Sequence, residues 1–407
     1  MATWPVAFIL SAASSEAMRV PLVMLTIFAA AKLSAEVFER LGISGIVGEI
    51  AAGVLVGPSM LAWVAPNELT TSLADLGVMF LLFRVGLEVK PEELLKLGGA
   101  ATLVAVCGVV VPMIMGWAIL RLWGAPQIEA IFVGAAMVAT SVGITAQVLA
   151  AKGLLQQKSS QIILAAAVID DVLGLLVLAS VSGMAKGQVN VWEIVLTAGL
   201  AIAFVVGIAF WGNRAMGKVV PRAQERLRVA ESEYALAVVL LFALSVLAVY
   251  IGVAAIVGAF FAGMALAGRV GERVNDLASG AAELLVPFFL VGIGLHVDLS
   301  AFQDRSMMLL AAVILVAAVV SKFIGCGVAA LGMGKAEAIR IGVGMIPRGE
   351  VGMVVAQIGL GMGAISQNIY GVVVFMAVAT TVLAPPLLKI AYKGVQGGVP
   401  EERYTLG

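Results

Sequence analysis

A single histidine and two cysteines in 407 residues leave little scope for the chemistry those residues usually carry. One imidazole is poor material for a His-based metal site or a catalytic triad. Cys107 and Cys326 both lie inside apolar runs, which argues against a disulfide framework or a metal knuckle. Charge is scarce as well: Asp, Glu, Lys and Arg make up 12% of the chain, about half the share usual in globular proteins. The 25 basic and 25 acidic residues cancel, so there is no electrostatic footprint for nucleic acid. What is abundant is hydrocarbon, at 62% of residues with a mean hydropathy of +1.09. An ordinary soluble enzyme is excluded, and the composition is that of a polytopic membrane protein.

A spanning helix needs about 20 largely apolar residues, and only helices or closed barrels satisfy backbone polar groups in lipid. The runs here are long and continuous, unlike the ten-residue alternating strands of a barrel. They predict an all-α chain of thirteen helices, near 19–39, 45–64, 71–87, 98–120, 127–151, 161–185, 192–212, 234–251, 253–268, 283–297, 306–330, 338–361 and 368–391. The basic residues orient them. With the N-terminus outside, the inner side receives Arg214, Lys218, Arg222, Arg226 and Arg228 in the longest loop, and Lys389, Lys393 and Arg403 at the C-terminal end. The outer loops hold only Arg121, Lys186 and Arg305, with Arg19 at the first boundary. That asymmetry predicts N-out and C-in, and a cytoplasmic membrane location.

The chain also repeats itself. Ile46-Val47-Gly48 followed by Ala52-Gly53 recurs as Ile256-Val257-Gly258 and Ala262-Gly263, and Val85-Gly86-Leu87-Glu88-Val89 is echoed by Ile293-Gly294-Leu295-His296-Val297. The second helix thus matches the ninth and the third the tenth. An offset of seven helices is odd, so the two copies enter the membrane from opposite sides, a construction typical of secondary transporters. The organisation expected is an N-terminal extension over 1–18, a first repeat over 19–185, a linker helix with a basic loop over 186–233, a second repeat over 234–392 and a tail over 393–407 without a regulatory domain.

The same offset pairs the fifth helix with the twelfth, and both are interrupted at mid-span. One carries the polar patch Ala139-Thr140-Ser141-Val142-Gly143-Ile144-Thr145. The other carries Pro347-Arg348-Gly349-Glu350, where proline removes a backbone donor and clashes with the preceding turn. Unwound backbone is tolerated in a membrane only where it lines a cavity or ion site. An ionisable side chain at a helix centre costs roughly 2.5–3.5 kcal/mol, yet the sixth helix holds two in succession, Asp170 and Asp171. Lys322, mid-span in the eleventh helix, is the candidate partner for one of them. Arg348 and Glu350 are expected to compensate the broken ends, Glu49 and Glu88 to line a water path or anchor an interface, Lys32 and Arg84 to snorkel, and His296 to serve structure.

At these residues the chain resembles the bacterial sodium/proton antiporters of the cation/proton antiporter superfamily (the monovalent cation:proton antiporter-2, NapA-like type). The resemblance is carried by Val47-Gly48-Glu49 with Gly53 to Pro58, Phe80 to Phe83 with Gly86-Leu87-Glu88, Ala139 to Thr145, Val168 to Gly174, Lys322, and Pro347 to Gly352. It implies inverted repeats with two crossed discontinuous helices, a mobile six-helix core, a panel that forms a homodimer, and no cofactor, the transported ions being Na⁺ or Li⁺ and H⁺. Asp171 matches the family's ion-binding carboxylate and Asp170 its lysine-paired one, with Lys322 as partner. Thr140 and Ser141 match the unwound segment beside the site. Double-aspartate members are generally electrogenic. Arg84 departs from the family's usual apolar residue at that position.

The rival on the same fold is a K⁺/H⁺ antiporter or Kef-type K⁺ efflux protein, which commonly carries Gln-Asp where this chain has Asp-Asp. An intramembrane aspartyl protease needs its carboxylates on separate helices, one in a Gly-x-Gly-Asp setting that is absent here. A prenyl transferase needs two Asp-rich motifs. Neither enzyme fits.

Overall fold

The computed structural model describes residues 16–41, 44–89, 98–185, 191–226, 231–297 and 304–395. The expected extension over 1–18 falls almost entirely outside them, as does most of the tail. Among the described residues there is no strand, and the helices follow one another as α1 (Glu16–Arg40), α2 (Gly45–Val56), α3 (Glu68–Glu88), α4 (Gly98–Leu122), α5 (Gln127–Ala136), α6 (Val142–Ala151), α7 (Lys158–Ala185), α8 (Val191–Gly207), α9 (Asn213–Arg226), α10 (Ser232–Ile251), α11 (Ala255–Leu266), α12 (Glu272–Leu295), α13 (Arg305–Ala329), α14 (Lys335–Gly344), α15 (Gly349–Gly361) and α16 (Gln367–Ala391). Nine stretches in the described residues are long and apolar enough to cross a membrane, and five shorter apolar helices accompany them. Exposed hydrocarbon on the outer faces, such as Leu25, Leu33, Val246 and Ile390, is where lipid would sit.

Helix ends follow local chemistry. Asn67 and Thr70 form a reciprocal capping box at the start of α3. The Ser366 hydroxyl caps α16 by accepting from the Ile369 N–H. Helix α2 stops at Gly57-Pro58, well short of the expected residue 64, because the residue before a proline is pushed out of the helical region. Two helices run further than hydropathy indicates. The tenth predicted span begins at Glu272 rather than near 283. The stretch read as a basic loop is helical to Arg226, continuing α8 through one π-turn at Ile208–Gly212. Polar helix leaving the hydrocarbon is invisible to an apolar count.

The helices sort into two groups. Helices α1, α2, α3, α10, α11 and α12 pack among themselves, and α4, α5, α6, α7, α13, α14, α15 and α16 among themselves, with lighter contact between groups through α6 on α3 and α16 on α2. The first group is clasped by glycine. A Cβ on Gly53 would lie 2.1 Å from the Val291 carbonyl oxygen, and one on Gly294 2.2 Å from that of Ile50. In the same way a Cβ on Gly86 would lie 2.1 Å from the Phe260 oxygen and one on Gly263 2.1 Å from that of Phe83. The motifs matched in sequence therefore meet crosswise, α2 on α12 and α3 on α11. These neighbours are backbone and cannot rotate aside. Gly86→Ala is accordingly expected to destabilise by about 1–3 kcal/mol, read as a lowered melting temperature in detergent.

Candidate functional site

The two predicted interruptions are real breaks, and they meet. Helices α5 and α6 are separated by Met137–Ser141, and α14 and α15 by Met345–Arg348. Pro347 has no N–H for the Val343 carbonyl, and the turn cannot close. In an unbroken helix the Arg348 N–H would bond to the Gly344 carbonyl. It is instead donated to Thr380 Oγ1 of α16, at 3.2 Å. The released Gly344 carbonyl accepts from Thr145 Oγ1 of α6 at 2.7 Å. The Ser141 N–H, at the other break, is donated to the Pro347 carbonyl at 2.8 Å. Each break thus satisfies backbone groups that the other exposes.

Helix α7 runs past this crossing and carries the carboxylate pair. Successive residues on a helix point about 100° apart, and the two aspartates separate accordingly. Asp170 turns toward α13, where Lys322 Nζ donates to its Oδ1 at 3.1 Å and Oδ2 at 3.3 Å. Both side chains are fully buried. Asp171 faces the other way, into a small pocket lined by Val142, Leu164 and Val168 on one side and by Leu82, Ile256, Val257 and Phe260 on the other. The first set belongs to α6 and α7, the second to α3 and α11. The pocket lies where the two helix groups meet. It has about 10 Å³ of room for the centre of a water molecule, about what one bound water requires. Val142, which follows the break at Thr140 and Ser141, is part of its wall.

The candidate residues divide by position. Thr140 and Ser141 are buried in the first break, and the Thr140 hydroxyl has no hydrogen-bond partner among the described residues. Arg348 is fully buried at the second. Its Nη2 donates to the Ala318 carbonyl at 2.9 Å, one turn from Lys322, while Nε and Nη1 have no partner among the described residues. The Glu350 side chain lies outside what is described. Glu49 is remote from the doublet, on α2 in the other helix group. Its Oε1 accepts from Lys32 Nζ at 2.9 Å, so Lys32 pairs where snorkelling was expected. His296 ends α12, with Nδ1 2.8 Å from the Gly292 carbonyl oxygen.

Two contributors, Thr380 and Gly108, were not singled out from the sequence, and Thr145 was read only as the end of the polar patch. Thr145 and Thr380 are buried hydroxyls in apolar helices, and their partners lie 199 and 32 residues away. Gly108 of α4 lies against the Lys322 ammonium. Among the described residues no cluster of three His, Cys, Asp or Glu side chains is placed to hold a metal. The chemistry on offer is narrower: one carboxylate at a boundary between helix groups, in a pocket whose wall includes the first residue after a helix break, with a second carboxylate tied to a lysine.

Comparison with known proteins gives the family and the fold. The chain is 33% identical to the high-affinity Na⁺/H⁺ antiporter NhaS3 of Synechocystis, over 97% of this chain and 95% of that one. It is also 33% identical to the Na⁺/H⁺-K⁺ antiporter GerN of Bacillus cereus, over 89% and 93%. The fold is similar to the solved structure of the sodium proton antiporter MjNhaP1 from Methanocaldococcus jannaschii, with a TM-score of 0.66 at 15% identity over 94% of this chain and 99% of that one. The family described as "Sodium/hydrogen exchanger, transmembrane" matches residues 23–393, and the chain belongs to it.

Proposed function

We propose that the protein is a secondary transporter that exchanges Na⁺ or Li⁺ for H⁺ by alternating access, with cation and proton competing for Asp171. The observation that carries this reading is the division of the doublet. Asp170 is committed to Lys322, and Asp171 faces a small pocket between two separately packed helix groups. A hard cation wants several oxygens. Asp171, Thr140, Ser141 and the carbonyls of the breaks are the candidate donors, with water. A proton wants the same carboxylate oxygen. Occupation by one therefore expels the other, which makes the transport an exchange.

Lys322 has the second role. It neutralises Asp170 while the cation site is empty. Cation entry disturbs that pair, and a buried lysine without its partner is disfavoured as a charge. The lysine then serves as a proton carrier, and the exchange is electrogenic. Arg348 and Glu350 support the break, and Glu49 with Lys32 braces α1 on α2. The crosswise contacts of Gly53 with Gly294 and of Gly86 with Gly263 support an inverted repeat, with thirteen crossings, N-out and C-in. In this reading the α1–α3 and α10–α12 group is the dimer-forming panel, embedded in lipid of a bacterial cytoplasmic membrane. The broken-helix group is the moving core, and no cofactor takes part.

Purified protein in proteoliposomes with an imposed pH gradient tests the assignment. Addition of Na⁺ or Li⁺ is expected to dissipate the gradient, with K⁺ giving at most a small response. A response to K⁺ alone overturns the Na⁺ assignment in favour of a K⁺/H⁺ antiporter, and K⁺ stands beside Na⁺/H⁺ in the name of the relative GerN.

A further inference from the structure

Behind the Lys322–Asp170 pair the wall is made by α4, and that wall has a hole in it. Helices α4 and α13 approach closely at this level. A Cβ on Gly325 would lie 2.8 Å from the Cys107 carbonyl oxygen, and Cys326 Sγ donates to the Val104 carbonyl at 3.6 Å. Between these contacts stands Gly108. A Cβ there would come to 3.2 Å from Lys322 Nζ, 3.7 Å from Lys322 Cδ and 2.8 Å from Cys326 Sγ. Gly108 lies inside α4, where nothing in the backbone calls for glycine and where it costs about 1 kcal/mol relative to alanine. The space it leaves is shared by the Cys326 thiol, the nearer of the two, and the head of the lysine.

We infer that Gly108 is a positioning residue for exchange, the seat that holds the Lys322 ammonium against Asp170. The lysine stem has four flexible carbons and does not by itself fix where its head rests. Position is imposed by the surroundings, which here are Asp170 and the bare backbone of α4. Both hydrogen bonds, at 3.1 and 3.3 Å, are in the range where a few tenths of an ångström alter the geometry. A methyl group at 108 can neither accept a hydrogen bond nor leave the ammonium where it is. The inference rests on the proposed part of the Lys322–Asp170 pair in exchange.

The test is a double-mutant cycle of Gly108→Ala and Lys322→Gln in proteoliposomes, reading initial Na⁺-driven proton movement and charge moved per Na⁺. In the wild-type background Gly108→Ala is expected to slow exchange roughly tenfold and to move the charge ratio toward that of Lys322→Gln. In the Lys322→Gln background it should change the rate by less than about twofold, since the group it displaces is gone. An equal cost in both backgrounds makes Gly108 a mere spacer between α4 and α13 and overturns the inference, as does no cost in either. Cys326→Ala, which removes the thiol clash, should leave the Gly108→Ala defect in place; restored exchange overturns the inference. If Lys322→Gln leaves too little exchange to measure, the same cycle is read in the Na⁺-induced shift of melting temperature. If Lys322→Gln matches wild type in rate and charge ratio, the reading of the lysine itself fails, an outcome distinct from a failure of Gly108 alone.

Discussion

Asp171→Asn is expected to abolish exchange, lowering Na⁺-driven proton movement at least roughly a hundredfold, as loss of an essential charged ligand does. The amide matches the carboxyl in shape, so the pocket keeps its lining of Leu82, Val142, Leu164, Val168, Ile256, Val257 and Phe260. What it loses is the capacity to carry a negative charge, and with it both proton binding and the strongest oxygen for a hard cation. The melting temperature of the variant should stay near that of wild type, since the amide keeps the shape and volume of the carboxyl. Exchange above about a tenth of the wild-type rate in correctly folded Asp171→Asn would place the competition elsewhere.

Lys322→Met should cost stability in proportion to what it strands. Removing one partner of a buried ion pair typically costs 3–5 kcal/mol, because the other charge is left without compensation. Here the abandoned group is Asp170, which like Lys322 is fully buried. A melting temperature lowered by several degrees is therefore expected, together with fewer charges moved per Na⁺. Combining Lys322→Met with Asp170→Asn should recover part of the loss, since two neutral groups replace the orphaned carboxylate. A double variant no more stable than either single one would show that the pair contributes little to holding α7 and α13 together. Voltage dependence intact in Lys322→Gln would remove the lysine as proton carrier.

The site was legible where it was expensive. Two adjacent carboxylates and a lysine inside hydrocarbon are costly on any reading, and the structure brings Asp170 and Lys322 together across 152 residues. Pro347 and the Thr140-Ser141 patch were legible for the same reason, since each disrupts a spanning helix. Lys32 and Glu49 were noticed singly and not as a pair, because nothing in their spacing says that α1 folds back on α2. Thr145 was read as part of the polar patch without its bond to the other break, and Thr380 was missed since a lone hydroxyl in an apolar helix carries no signal until its partner is known. Gly108 was less legible still: it is one of 46 glycines, and its meaning lies in what approaches it from another helix. The polar beginning of α12 and the whole of α9 escaped because hydropathy reports the solvent around a helix and not the helix itself.

The surface that α3 and α11 present to Asp171 has a consequence for leak. Leu82, Ile256, Val257 and Phe260 offer it hydrocarbon, so in the proposed alternating-access cycle a neutralised carboxyl would meet no polar side chain among these four. A bare carboxylate gets no such passage. At roughly 2.5–3.5 kcal/mol for an uncompensated charge in the membrane interior, the empty carrier would cross on the order of a hundred times more slowly than one loaded with H⁺ or Na⁺. In the proposed cycle this apolar face would act as a ratchet against futile cycling, and polar substitutions at Ile256 or Leu82 would be where slippage begins.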